Sequence, residues 1–332
     1  MQTIYSNYDG PYYLVIARCW YDKECIGRNF SFPLPLEYYP AHFPLYPAII
    51  NIVSSTGINK LQAMVGLNVL ATIGAALMLY RLVAEQKWGN PLLISAAWLF
   101  VWPRMWVVRS IGSPETLLVA WILASMYFFL KKKYLWAGVL GSMAVMTKPP
   151  GVLLLAAYGC WWLYEGIKNK KWIVSAWPVS LMAVVLAGIF WWYQVRTGDF
   201  LAYFHSGDNI HLQALPFKIF DSSQAWVGTF WLEDVLWIYL VGAVGIWRAF
   251  KKSAVLGWFG AVWYATILFV SHRDIARYSL PIVPVVLVGL AEILDKREVR
   301  WAMAFLLIPM FLYSVNFLVH NTAGVATWQP FL

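Results

Sequence analysis

The sequence predicts an all-α integral membrane protein, a helical bundle of about ten spans preceded by an outer-face region of short juxtamembrane helices. Three observations lead there. Of 332 residues, 61% are hydrophobic, 18% aromatic and only 12% charged, against roughly 25% charged in a soluble domain. Apolar runs long enough for a hydrocarbon core of about 30 Å recur from residue 61 onward. The basic residues sit between those runs, with 14 of the 25 in five short clusters around Arg81 and Lys87, Lys131 to Lys133, Lys168 to Lys171, Arg248 to Lys252 and Lys296 to Arg300. By the positive-inside rule these clusters are cytoplasmic. The net charge of +9 is therefore a topology signal, and no nucleic-acid partner is expected.

Residues 1–60 form the first unit. They carry acids at Asp9, Asp22, Glu24 and Glu37, prolines at 35, 40, 44 and 47, and many aromatics, but no clean span. Proline interrupts any long helix and aromatics suit the headgroup level, so short surface helices are expected. Treating 44–58 as a span would invert every later loop. The second unit, 61–332, is the bundle. Spans are predicted at 61–84, 90–107, 114–130, 135–147, 150–166, 172–195, 233–249, 254–271, 278–294 and 301–319, with both termini outside. The 135–147 piece is short for a full span and ends at TKPPG, which reads as a broken or tilted helix covered by its neighbours. An outer loop at about 196–232 is long enough to be functional, and its aromatic content suggests a packed lid. The first residues have neither the basic nor the apolar part of a signal peptide. With Asp9 outside, either the N-terminus translocates unaided or a further helix precedes this sequence.

Of the sixteen acids, eleven fall on the outer face: Asp9, Asp22, Glu24, Glu37, Glu115, Asp199, Asp208, Asp221, Glu233, Asp234 and Asp274. Any chemistry is expected there. Asp9, followed by Gly-Pro and an apolar run, fits a helix N-cap. It equally fits a general base at the bilayer surface. Glu37 lies in LEYYPAHFPLYP, where prolines and aromatics would hold it near the membrane, although a solvated loop acid is as simple a reading. Glu115, in GSPET, reads as ordinary N-terminal helix chemistry. Lys148, Arg273 and Arg277 are cations on the face where topology disfavours them and require partners, either an acid such as Asp274 or a lipid phosphate. His42, His205, His211 and His272 have no metal-ligand spacing, and HExxH, CxxC and Walker patterns are missing. No cofactor is named by the residues, and a divalent ion between Asp9 and Glu37 is left open. Cys19 and Cys25 share the outer face, where a disulfide is permitted; Cys160 reads as packing within a span.

In order along the chain, YDGPYYLVIARCWY, YYPAHFPLYPAII, SPETLLVAWILASMYFF, GVLGSMAVMTKPPGVLLL and ARYSLPIVPVVLVGLA resemble the segments of membrane mannosyltransferases related to GPI mannosyltransferase II. The resemblance implies a GT-C glycosyltransferase that moves a sugar from a polyprenyl- or dolichyl-phosphate donor to a glycan, lipid or protein acceptor on the outer face. It implies Asp9 as the essential acid with Glu37 as a companion, and it places a transmembrane helix before the Asp9 loop. Tyr8 replaces the family's usual Trp, His42 an aromatic, and Lys148 an Arg. The chemistry asks for a base to take the acceptor proton and for cations to hold the departing phosphate. Asp9 suits the first role, Lys148, Arg273 and Arg277 the second, and a single displacement predicts inversion. Two alternatives are a scaffold homologue without catalysis and a lipid or solute transporter. The transporter predicts an internal repeat and polar groups at the midplane, and neither is read in the sequence.

Overall fold

The computed structural model describes residues 1–32, 34–207, 211–227, 232–325, 328 and 331. Asp208 of the outer loop lies outside the described residues. Within them the chain is helical and forms no β-strand, only isolated bridges pairing Asn7 with Thr322 and Leu212 with Val270.

The N-terminal region consists of short helices: α1 (Gln2–Tyr5), α2 (Gly10–Cys19), α3 (Lys23–Asn29), a 3-10 turn at Leu36–Ala41 and α4 (Leu45–Ser54). Pro11 in the first turn of α2 favours helix initiation, because its missing N–H would have no partner there anyway. Trp20 and Tyr21 take φ of 50° and 67°, turning the chain sharply into α3. That turn is closed by the Cys19–Cys25 disulfide and by the Asp22 carboxylate, which accepts from Cys25 N at 2.9 Å.

The bundle begins with α5 (Lys60–Gln86), about 40 Å long at 1.5 Å per residue and capped by Asn59, whose side chain accepts from Leu61 N at 2.8 Å. The predicted span at 90–107 is two helices, α6 (Pro91–Phe100) and α7 (Pro103–Val108). The break falls where Trp102 adopts an extended backbone before Pro103, as the residue preceding a proline is sterically driven to do. Helix α8 (Glu115–Leu130) packs between α5 and α9 (Tyr134–Thr147).

Lys148 precedes Pro149 and is extended for the same reason. It ends α9 and leads through a 3-10 turn into α10 (Leu153–Lys168). A side chain on Gly151 would collide with the Ala144 carbonyl, so this turn can lie back on α9 only with glycine there. Then follow α11 (Leu181–Thr197), α12 (Ala202–His205), α13 (Glu233–Lys252) and α14 (Ala254–Leu268). The predicted 278–294 span is broken into α15 (Ile275–Tyr278), a 3-10 turn at Leu280–Ile282, α16 (Val283–Gly289) and α17 (Ala291–Leu294), before α18 (Arg297–His320). Pro281 and Pro284 start the two middle pieces, and α15, the turn and α16 pack against α13 and α14, where neighbours can cover the interrupted backbone.

Among the described residues, three helical stretches are long and apolar enough to cross a membrane unaided: Lys60–Gln86, Val174–Thr197 and Arg297–His320. Shorter apolar helices lie in the predicted spans at 90–107, 114–130, 135–147, 254–271 and 278–294. The perimeter is apolar, with Leu70, Trp191, Trp247, Phe305 and Ile308 exposed. Such a surface is suited to lipid.

Candidate active site

Four segments distant in sequence meet at the end of the bundle that carries residues 1–60. Asp9 occupies the cap position of α2, yet its side chain makes no capping bond. Instead its Oδ2 accepts from Arg277 Nη2 at 2.9 Å. The same guanidinium donates through Nε to Glu115 Oε1 at 2.6 Å. Lys148 donates to that carboxylate oxygen as well, and Ser113 Oγ donates to the other one. Glu115, expected to be an ordinary first-turn acid, is the hub of the cluster, its side chain only 3% exposed. Arg277 is nearly as buried at 10%, while Asp9 keeps 28% exposure toward a cavity. The four charges of Asp9, Glu115, Lys148 and Arg277 sum to zero.

Aromatic rings hold the cations in place. Tyr8, with φ of 50°, sets its ring 4.2 Å from the Arg277 guanidinium carbon, and Lys148 lies 5.8 Å from the Tyr278 ring centre. Such contacts favour a cation electrostatically. His42 packs edge-on to Tyr13 at 4.8 Å and brings Nε2 to 4.0 Å from Asp9 Oδ2, too far for a hydrogen bond. Burial drives the His42 imidazole down to about 4, outweighing the attraction of Asp9, so it is neutral. For Asp9, burial pushes the carboxyl up, but the Arg277 guanidinium, joined by Lys148, more than cancels this and holds it below its ordinary value.

A second buried pair flanks the first. Arg104 Nη2 lies 2.8 Å from Asp274 Oδ1, with both side chains 9% exposed, and the Arg104 guanidinium stacks on Phe317 at 3.9 Å. Sequence reasoning missed Arg104. The signal available was a lone arginine inside an apolar run, directly after a helix-breaking proline.

Both clusters open on one polar cavity of about 640 Å³, lined by Tyr8, Asp9, Arg104, Asp274, Arg277, the exposed Arg273 and Trp226. An apolar groove of about 690 Å³, lined by Trp102, Trp237, Val241 and Met310, shares Arg104 and Phe317 with it. A smaller groove of about 250 Å³ between Phe43, Pro149, Phe190 and Trp263 reaches Tyr278, the neighbour of Arg277. A polar chamber with apolar channels beside it can hold an amphiphile, head inside and tail between helices.

Glu37 does not join Asp9. It lies at the surface with its side chain 56% exposed and accepts from Lys23 Nζ at 2.8 Å, and this bond holds its carboxyl below the usual range. A flexible lysine within reach captures the acid before it can turn inward. The divalent site left open between Asp9 and Glu37 does not fit these positions, since one carboxylate is engaged by Arg277 and the other by Lys23. Among the described residues, no three His, Cys, Asp or Glu side chains are grouped so as to hold a metal ion.

No protein-family model and no curated protein matches the sequence. Solved structures of one protein in two states are among those similar to it. ArnT from Cupriavidus metallidurans bound to undecaprenyl phosphate superposes with a TM-score of 0.57 at 15% identity, over 91% of this chain and 59% of that one. The apo state of the same protein gives 0.53 at 17% identity, over 87% and 56%. The chain thus spans less than two thirds of the length of the structures it matches. At this identity the likeness is one of architecture, and the chain has an all-helical membrane fold of the GT-C type.

Proposed function

We propose that the protein is a membrane glycosyltransferase that moves a hexose from a polyprenyl-phosphate donor to an acceptor hydroxyl on the extracytoplasmic face. The resemblance to the GPI mannosyltransferase II family makes mannose the first sugar to try. The observation that carries the reading is the Asp9 carboxylate, part-exposed at a polar cavity and 2.9 Å from the buried Arg277 guanidinium. It sets a base beside a fixed cation, as the displacement of a phosphate requires. The similar ArnT structure contains undecaprenyl phosphate, which supports a lipid phosphate as the leaving group. The Cys19–Cys25 disulfide supports an oxidising compartment for this end of the bundle.

In the proposed reaction the acceptor oxygen attacks the anomeric carbon as the bond from that carbon to the phosphate oxygen breaks. The bonding pair leaves with the phosphate, stabilised by Arg277, Lys148 and the nearby Arg273. The hydroxyl proton passes to Asp9. One displacement inverts the anomeric centre. In a transfer assay with membranes supplied with radiolabelled polyprenyl-phosphate hexoses, Asp9→Asn is expected to lower transfer by about 10²-fold or more. Full transfer by that variant overturns the assignment of the base.

A further inference from the structure

Arg104 poses a problem that its ion pair does not solve. Its Nη2 faces Asp274, but Nε and Nη1 are buried and make no hydrogen bond. The Tyr8 hydroxyl, on the same cavity wall, is likewise buried without a well-formed bond. Buried donors are nearly always satisfied, and those left open at a cavity wall mark where a ligand completes them. The charge balance says which ligand. Asp274 cancels the charge of Arg104, so the pair presents spare N–H donors beside a carboxylate. A phosphate would be repelled by that carboxylate. Two adjacent hydroxyls suit both halves, their oxygens accepting from the guanidinium and one O–H donating to the carboxylate. The rings of Phe317 and Tyr8, 5.7 Å apart, supply apolar surface beside it.

We infer that Arg104 and Asp274 form a subsite for a vicinal diol of a sugar ring, set beside the phosphate end of the site. Its placement is fixed by the fold. Asp274 lies one turn before Arg277, whose backbone N–H donates to the Asp274 carbonyl at 2.8 Å. Tyr8 spans the two, its ring on Arg277 and its neighbour Asp9 bonded to the same guanidinium. The subsite rests on the proposed function, but it is a separate claim about recognition. Both the transferred sugar and a sugar on the acceptor offer this chemistry.

The test compares binding of undecaprenyl phosphate and undecaprenyl-phosphate mannose to the full chain in nanodiscs. The sugar-bearing lipid is expected to bind at least about tenfold tighter, because a site built around hydroxyls discriminates by their presence. Arg104→Lys keeps the charge pair and removes the open donors. It should erase that ratio while leaving affinity for the bare phosphate within about twofold. The paired change of Arg104→Met with Asp274→Leu, which leaves no unpaired charge, should do the same. If the ratio persists in both variants while binding of free methyl mannoside is lost, the diol read here belongs to the acceptor. A methyl mannoside affinity unchanged in both variants, with the lipid ratio either absent in the wild type or unchanged by them, overturns the subsite alone. Binding of neither lipid overturns the proposed function together with it.

Discussion

Arg277 reaches back across 268 residues of sequence to donate to Asp9 at 2.9 Å, and it is the foremost of the charges that lower the carboxyl against the effect of burial. Asp9 is held below its ordinary value although burial alone would raise it. A base must be deprotonated to act, so wild-type transfer should persist well into the acidic range. Arg277→Gln removes the main cause of the depression, and the acidic limb of the pH–rate profile should move to higher pH. An unmoved limb would mean that another group titrates there.

Lys148 and Arg277 are assigned to the departing phosphate. Lys148→Met should raise the KM for lipid donor by about tenfold, the loss of one charge-assisted contact, with a smaller change in kcat. Steady-state kinetics against a donor series resolves the two. A change confined to kcat would remove Lys148 from ground-state phosphate binding.

Glu115 neutralises two cations at once. Glu115→Ala leaves Lys148 and Arg277 with only Asp9 between them, and breaking a buried pair costs about 3–5 kcal/mol. A fall in thermal stability of the solubilised protein is expected even when no substrate is present. Glu115→Gln, which retains the shape and one carbonyl acceptor, should cost less.

His42 makes stability depend on pH. Its imidazole falls from an ordinary 6.5 to about 4 in the fold, so between those values the unfolded chain takes up a proton that the native one does not. Its contribution to stability is therefore lost progressively as the pH falls from 6.5 toward 4. Asp9, with a depressed carboxyl, loses its contribution only at still lower pH. Denaturation midpoints measured from pH 7 to pH 4.5 should fall less in His42→Phe than in wild type.

Glu37 serves as the contrast. It pairs with Lys23 in solvent, and exposed pairs contribute about 0–1 kcal/mol. Glu37→Gln should leave both transfer rate and stability close to wild type, as activity assays and melting curves can show. A large loss of transfer would restore Glu37 to the chemistry.

Much of the helical framework is legible because membrane insertion leaves strong marks: apolar runs of the right length and basic residues between them. The breaks are less legible. The 90–107 run is mostly apolar and long enough to read as one span, and its division at Trp102, which Pro103 drives into an extended backbone, is easily passed over. The site is legible where a residue violates its surroundings, as the stray cations Lys148 and Arg277 do. Glu115 gives no such sign, since an acid opening a helix is ordinary and its partners lie 33 and 162 residues further on. Glu37 shows the reverse case. Rigid aromatic surroundings suggested a held acid, but a lysine 14 residues earlier decides where it points.

The distances along the chain also bear on how the protein is made. Synthesis runs from the N-terminus, so Asp9 and Glu115 are delivered before either cation that neutralises them. Glu115 must await Lys148, and the pair must await Arg277, which arrives on α15 only after α14 has been placed. Until then the two acids lack the cations that neutralise them in the finished fold. The arrival of Arg277 joins all four segments at once. The charge balance of the site is therefore completed only when α15 docks, and the order of synthesis makes its last-arriving cation the one that closes it.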